Sequence, residues 1–313
     1  MPLHPQVKQM LETIYASEWQ DVCSLTPVTA REQAAKFSKL KKFPKTLPPS
    51  IETVDHYVPM SDGESILLRV YKPKAKADTV IVYFHGGGYV IGNVEQYDPV
   101  CRWLAHELET PVVSVEYRLA PEYVFPTQIE DGYNALKWIA ANAASLGLNY
   151  KKLVVAGDSA GANLATLVCV LARDRNGPKI DWQWLLYPWT DIDVSRQTYQ
   201  TYGEGYLLSM PAMKWFGNHY LGAKQPAEYS PFPMHITDLS NLPAAYIIAA
   251  ECDVLHDEAV AYADKLRRAG NQVNYELAAG MIHGFLMQYH IPASFEASAI
   301  VINRFKEMLG DEF

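Results

Sequence analysis

The chain has 313 residues, of which 49% are hydrophobic and 20% charged, enough for one large α/β domain or two average ones. The formal net charge of −8, without a basic stripe, argues against a nucleic-acid partner. No apolar run reaches the roughly 18 residues that a membrane-spanning helix needs, and Met1–Glu12 lacks a signal-peptide layout. The four widely spaced cysteines indicate reduced thiols instead of disulfides or metal ligands. We therefore expect a soluble cytoplasmic protein.

The first 50 residues have helical periodicity. Val7, Met10 and Leu11 share one face of a first amphipathic helix, and Thr29 is a candidate N-cap of a second helix. Prolines then end the helical pattern. Two helices ahead of a sheet usually cover part of it, so we expect residues 1–50 to form one half of a cap.

From Ile51 the hydrophobic period changes to two, and predicted strands then alternate with helices. The predicted strands are Glu52–Pro59, Ser65–Tyr71, Thr79–Phe84, Pro111–Tyr117, Lys152–Ala156, Trp182–Tyr187, Ala244–Ala250 and Asn274–Leu277. The predicted helices are Pro99–Glu109, Gln128–Ala144, a helix beginning near Ala162, Glu258–Ala269 and Ser294–Leu309. The first two strands form an antiparallel pair, and the rest predict a mostly parallel sheet with helices on both faces. Ligands of such sheets bind at the carboxyl ends of the strands.

One segment interrupts this alternation. Residues 190–239 are irregular and aromatic. Its aromatic residues are Tyr199, Tyr202, Tyr206, Trp215, Phe216, Tyr220, Tyr229 and Phe232. An insertion at this point lies over the upper edge of the sheet. We expect residues 1–313 to form a single domain, with a cap of about 1–50 and about 190–239 that shields the site from water.

A glycine-flanked serine lies between a predicted strand and a predicted helix, in Gly157-Asp158-Ser159-Ala160-Gly161. A serine on so sharp a turn has a strained backbone, and its hydroxyl stands clear of the chain. Side chains two residues before and after it would collide, which explains Gly157 and Gly161. The helix also directs its N–H groups and positive dipole end toward the serine oxygen. The motif therefore predicts Ser159 as a nucleophile, with a tightly packed structural turn as the alternative.

Three consecutive glycines follow the strand Thr79–Phe84, in His85-Gly86-Gly87-Gly88. Glycines in a row are costly in entropy unless the backbone must approach a ligand closely. We expect the N–H groups of Gly87, Gly88 and Ala160 to form an oxyanion hole, with Gly86 as a close alternative. A flexible loop or a phosphate-binding loop is the alternative interpretation, but no nucleotide-binding motif follows. His85 fits a hydrogen-bonded structural role better than that of a base.

A serine nucleophile needs a histidine base, and that histidine needs a carboxylate. His283 follows the last predicted strand and is our candidate base; the alternatives His235, His256 and His290 fit ordinary surface or cap positions. Asp253 follows the strand Ala244–Ala250, which gives the chain order Ser, Asp, His. Among the other acidic residues nearby, Asp257 and Glu258 are close rivals that suit the start of a helix, whereas Glu251 fits a structural role.

Four motifs together resemble the hormone-sensitive-lipase family of esterases, and bacterial acetyl-esterase-type carboxylesterases in particular. The motifs are His85-Gly86-Gly87-Gly88, Tyr117-Arg118-Leu119-Ala120-Pro121-Glu122, Gly157-Asp158-Ser159-Ala160-Gly161 and His283-Gly284-Phe285. The resemblance runs from about residue 80 to 290. It implies an α/β-hydrolase fold with a helical cap, a triad of Ser159, Asp253 and His283, and neither a metal nor an organic cofactor. The sequence departs from the family's Asp-Pro-Leu-x-Asp-Glu motif at Val254, where the family commonly has proline.

The expected reaction is hydrolysis of a small-molecule ester through an acyl-enzyme, and the resemblance implies a preference for short over medium acyl chains. An acyltransferase or amidase would share every catalytic residue. A small-molecule receptor is a further alternative, since the plant gibberellin receptor resembles this family but lacks the catalytic histidine. Because histidine must be neutral to act as a base, we expect activity to fall below a pH of about 6–7. The sequence leaves open whether the chain forms a homodimer.

Overall fold

The hydrophobic runs pair into one eight-stranded sheet in a computed structural model, which describes residues 3–44, 51–74, 77–223 and 229–310. Strands β1 to β8 are Glu52–Pro59, Ser65–Lys72, Thr79–Phe84, Val112–Val115, Lys152–Asp158, Trp182–Leu186, Ala244–Cys252 and Val273–Ile282. Their order is β1-β2-β4-β3-β5-β6-β7-β8. β2 pairs antiparallel with β1 and with β4, and all the other pairs are parallel. This is the predicted α/β-hydrolase fold.

Helices pack on both faces of the sheet. Helices α1 to α9 are Pro5–Tyr15, Pro27–Leu40, Val94–Glu107, Thr127–Asn142, Ala160–Asp174, Gln197–Tyr202, Met210–Leu221, His256–Arg268 and Pro292–Gly310. Successive side chains of β3 point to opposite faces: Val80 and Val82 join the core under α4, α5 and α8, and Ile81 joins the core under α1, α3 and α9. Every residue of β3 is buried, as expected for a central strand covered on both faces.

Three predicted boundaries were wrong. The second helix begins at Pro27, and its N-cap is Thr26; Thr29 completes a capping box, because its hydroxyl accepts the N–H of Thr26 at 3.0 Å. α3 begins at Val94 and not near Pro99, because the Asn93 side chain caps the helix by accepting a hydrogen bond from Gln96 N at 2.8 Å. β8 continues five residues beyond its predicted end, to Ile282.

The cysteines are free thiols, as predicted: Cys101, Cys169 and Cys252 are buried and Cys23 is exposed. In the part of the chain that the structure describes, no helix has both the length and the apolar character needed to cross a bilayer. The carboxyl ends of β3, β5, β7 and β8 lie along one edge of the sheet. The three glycines after His85 follow β3, and Ser159, Asp253 and His283 follow β5, β7 and β8.

Candidate active site

Ser159 occupies a one-residue link between β5 and α5. Its φ of 55° lies in the left-handed region, which is strained for any residue with a side chain. The conformation is held by the Ser159 N–H, which donates to the Leu186 carbonyl at 2.9 Å. A Cβ on Gly161 would collide with the carbonyl oxygen of Phe84, and one on Gly157 would collide with the backbone of Gly161. The glycine pattern is therefore required by close packing of backbone on both sides of the serine.

A continuous hydrogen-bonded chain links three side chains from three strand ends. His283 Nε2 lies 2.9 Å from Ser159 Oγ, and His283 Nδ1 lies 2.7 Å from Asp253 Oδ2. The second carboxylate oxygen, Asp253 Oδ1, accepts the N–H of Leu255 at 3.0 Å. An ionised carboxylate can only accept, so Nδ1 carries the proton and Nε2 is left to accept from the serine hydroxyl. The arrangement can deprotonate Ser159.

The rival acidic residues make other contacts. Asp257 Oδ2 accepts the N–H of Thr198 at 3.1 Å, and Glu258 Oε1 accepts the N–H of Thr190 at 2.5 Å. Both lie in the first turn of α8, where acidic groups offset the helix dipole. Burial raises the pKa of Glu258 well above its ordinary value, which opposes the negative charge that would stabilise an imidazolium.

The other candidate bases are also placed differently. His235 Nε2 lies 2.9 Å from Asp191 Oδ1, and His256 is the first residue of α8. His290 lines the same cavity as Ser159, but burial lowers its pKa to about 4. The structure thus brings together Ser159 and His283, as the sequence predicted.

The glycine loop, Gly86-Gly87-Gly88, lies beside Ser159. Gly87 and Gly88 have φ values of 115° and 60°, which favour glycine, and both line the cavity that contains Ser159. The Gly86 N–H, by contrast, donates to Asp158 Oδ1 at 2.9 Å, so it is already engaged. Ala160 is the first residue of α5, where a backbone N–H has no partner within the helix. This geometry favours Gly87 and Gly88 over the competitor Gly86 as donors.

His85 is a structural residue. It is fully buried, its Nδ1 lies 2.7 Å from the Gly86 carbonyl oxygen, and its ring stacks on Tyr117 at 4.3 Å. Burial lowers its pKa to about 4, which keeps the imidazole neutral. Tyr117 OH donates to the His85 carbonyl at 2.6 Å and so fixes the start of the glycine loop.

A largely apolar cavity of about 360 Å³ opens above Ser159. Part of its wall comes from the two segments predicted to form a cap. The contributing residues include Trp19, Ala30, Ala34, Phe37, Leu40, Leu207, Leu208, Ala212, Met213 and Phe216. Residues 190–223, predicted as irregular, contain the helices α6 and α7. Among the described residues, no group of three His, Cys, Asp or Glu side chains could hold a metal ion.

Arg31 of α2 joins the N-terminal helices to the loops around the site. It donates from Nε to the Val90 carbonyl at 2.8 Å and from Nη2 to the Ala120 carbonyl at 2.7 Å. It also makes a bidentate pair with Glu122, with Nη1 to Oε1 at 2.8 Å and Nη2 to Oε2 at 2.6 Å. One side chain therefore anchors the cavity wall to the segment that follows the glycine loop.

We expect Arg31→Ala to lower the free energy of unfolding by about 1–3 kcal/mol and to raise KM severalfold, because charged hydrogen bonds to part-buried carbonyls are lost. Thermal unfolding and steady-state kinetics would measure both effects. Arg267→Ala, which removes an exposed ion pair with Asp264, is the matched control and should change the free energy of unfolding by less than about 0.5 kcal/mol. Equal effects of the two substitutions would contradict the anchoring role.

Sequence reasoning missed the surroundings of Asp158. Its carboxylate is buried and accepts hydrogen bonds from the hydroxyls of Tyr83 and Tyr97. The signal was present, since an aspartate at the end of an otherwise apolar strand is rarely buried without partners. The tyrosines come from β3 and α3, so their convergence on this carboxylate follows from the sheet order and not from local sequence.

Comparison with known proteins places the chain in a family. The family described as "alpha/beta hydrolase fold" matches residues 81–287. An ethyl acetate hydrolase of Pseudomonas putida is 38% identical over 237 residues, which are 72% of this chain and 73% of the relative. A carboxylesterase of Mycobacterium tuberculosis is 34% identical over 303 residues, covering 95% of this chain and 93% of the relative.

Solved structures agree with the sequence relatives. A thermostable esterase from Pseudomonas putida ECU1011 superposes with a TM-score of 0.92 at 30% identity, over 99% of each chain. A hyperthermophilic esterase from the archaeon Pyrobaculum calidifontis is 37% identical with a TM-score of 0.88, again over 99% of each chain. The chain therefore belongs to the hormone-sensitive-lipase-like carboxylic ester hydrolases of the alpha/beta hydrolase fold.

Proposed function

We propose that the protein hydrolyses small carboxylic esters in two acyl-transfer steps, with Ser159 as nucleophile. His283 takes the proton of the serine hydroxyl as Oγ attacks the ester carbonyl carbon. The resulting tetrahedral intermediate collapses, and the imidazolium gives its proton to the leaving alcohol. Water, deprotonated by His283, then attacks the acyl-enzyme, and the carboxylic acid leaves.

Asp253 and the glycine loop stabilise the charges that form. Asp253 holds the imidazole in the tautomer that accepts at Nε2 and stabilises the imidazolium. The N–H groups of Gly87, Gly88 and Ala160 donate to the oxyanion, and each such donor contributes about 3–4 kcal/mol to lowering the barrier. The observation that carries this proposal is the unbroken hydrogen-bonded series from Asp253 through His283 to Ser159, opening into the apolar cavity.

The cavity supports neutral esters with short to medium acyl chains as substrates. Its volume of about 360 Å³ and its hydrophobic walls suit a small uncharged molecule. A relative at 38% identity is named for hydrolysis of ethyl acetate, which is such an ester. We propose that residues of about 1–50 and about 190–239 act as the cap that excludes water, and the free cysteines support a reducing, cytoplasmic location.

An acyl-length series tests this proposal. We expect kcat/KM for 4-nitrophenyl esters to peak between acetate and hexanoate and to fall by at least about tenfold at dodecanoate, because a long chain exceeds the cavity. Steady-state rates at one pH and salt concentration measure the profile. A rate that increases steadily to long chains would contradict the assigned substrate class. An absence of turnover across the whole series would contradict ester hydrolysis itself.

Acyl transfer to an alcohol is the second candidate, favoured by the apolar enclosure of Ser159, which disfavours water as the second nucleophile. Hydrolysis of 4-nitrophenyl acetate in the presence of increasing methanol separates the two reactions. We expect acetic acid as the main product; dominant methyl acetate at low methanol concentration would identify a transferase.

A further inference from the structure

We propose that Asp158 is a positioning residue, which holds the glycine loop Gly86-Gly87-Gly88 against the turn that carries the nucleophile Ser159. The inference deepens the proposed ester hydrolysis and rests on it. Asp158 precedes the nucleophile directly, and its carboxylate accepts hydrogen bonds from a buried group of donors. It acts through other residues and not on the substrate.

The Asp158 carboxylate gathers donors from three elements. Oδ1 accepts the Gly86 N–H at 2.9 Å and the Tyr83 hydroxyl at 2.9 Å, while Oδ2 accepts the Tyr97 hydroxyl at 3.0 Å. The Gly86 N–H also lies 3.0 Å from the Tyr97 hydroxyl oxygen. The carboxylate thus connects the end of β5 to the end of β3, to α3 and to the first glycine of the loop.

Packing leaves no space for the loop to move toward β5. A Cβ on Gly86 would lie 2.5 Å from Asp158 Oδ2 and 3.0 Å from the Asp158 carbonyl oxygen. Asp158 itself is 2% exposed. Gly86 therefore contributes its N–H to Asp158, and this contact fixes the backbone from which the N–H groups of Gly87 and Gly88 project. A donor displaced by a fraction of an ångström loses much of its effect on an oxyanion.

Burial and hydrogen bonding act on the charge of the Asp158 carboxylate in opposite directions. Burial raises the pKa of Asp158 to about 6, although the hydrogen bonds from the two tyrosines and the nearby His283 favour its ionised form. The titratable groups that face Asp158 are Tyr83, Tyr97, Tyr117, Tyr187, Cys101 and His283. Burial raises the pKa of the phenols and the thiol, so they stay neutral at neutral pH.

The test is Asp158→Asn, measured with 4-nitrophenyl acetate at one pH, alongside thermal unfolding. Asparagine has one acceptor oxygen and no charge, so it cannot hold the Gly86 N–H and both tyrosine hydroxyls as the carboxylate does. We expect kcat to fall by about 100-fold or more with KM changed by less than about threefold, because the glycine loop and its oxyanion donors shift. An unchanged kcat in a folded variant would show the inference to be wrong.

Asp131→Asn is the matched control, because Asp131 is also buried and its carboxylate accepts hydrogen bonds from Arg118 instead of from the glycine loop. It should lower the unfolding temperature and leave kcat unchanged. If Asp158→Asn does not fold, Tyr97→Phe decides: a fall in kcat of about fivefold or more at constant KM supports the inference, and an unchanged kcat overturns it.

The wild-type protein separates failure of this inference from failure of the proposed function. A wild-type protein that neither hydrolyses 4-nitrophenyl acetate nor is labelled at Ser159 by an organophosphonate contradicts the proposed function. An active, labelled wild type with an equally active Asp158→Asn variant contradicts this inference alone.

Discussion

Ser159→Ala is expected to reduce kcat for an aryl ester by about 10⁵–10⁶-fold, because the acyl-enzyme can no longer form. The residual rate reflects only substrate binding and the oxyanion donors, which the substitution leaves in place. Folding should be retained, since the Ser159 backbone, and not its hydroxyl, makes the contacts that hold the turn. Steady-state kinetics together with circular dichroism would measure both quantities.

Labelling provides an independent measurement. The wild-type protein should bind one equivalent of an organophosphonate covalently, detected as a mass increase on the peptide that contains Ser159, and Ser159→Ala should bind none. Ser145→Ala is the control, because the exposed Ser145 hydroxyl donates to the Asn142 carbonyl and its loss should leave both labelling and rate unchanged. Undiminished turnover by Ser159→Ala would rule out the proposed nucleophile.

Asp253→Asn is expected to lower kcat by about 10³–10⁴-fold with little change in KM. An asparagine fits the space of the aspartate, but its amide can donate to His283 Nδ1 and so favours the tautomer that cannot accept from Ser159. The imidazolium also loses its main stabilising charge. The measurement is a full steady-state kinetic comparison of the variant and the wild type at the same pH.

The same experiment decides between the acidic rivals. Asp257→Asn changes a carboxylate that accepts the Thr198 N–H, so it should leave kcat within about threefold of wild type and lower only stability. A larger loss of kcat in Asp257→Asn than in Asp253→Asn would reverse the assignment. This outcome would also mean that the loop after β7 rearranges during the reaction.

Much of the fold could be predicted from the sequence because the patterns that indicate strands and helices are local. β3 and β5 are continuous apolar runs bounded by glycine or polar residues, and α8 begins with acidic residues, so their types were predicted correctly. The errors lie where two local signals compete. Pro99 looks like a helix start, but the Asn93 cap and tertiary packing extend α3 through it.

The site was predictable to the extent that its residues follow strand ends. Ser159, Asp253 and His283 each come directly after a strand, and the parallel sheet brings such positions to one edge. Their catalytic roles, and those of Gly87, Gly88 and Ala160, stay predictions. The partners of Asp158 could not be read from sequence, because Tyr83 and Tyr97 reach it from elements 75 and 61 residues away. Long-range side-chain convergence of this kind depends on packing, which periodicity does not report.

Residues 3–44 supply no candidate catalytic side chain, yet they form part of the wall of the active-site cavity. α2 precedes β1 in the chain and is tied to the catalytic half of the molecule through Arg31. Substrate range can therefore diverge between homologues through changes near the amino terminus while the chemistry stays the same. Substitutions there can alter selectivity and leave the acid, base and nucleophile unchanged. A purification tag is best fused to the carboxyl terminus instead of to the amino terminus.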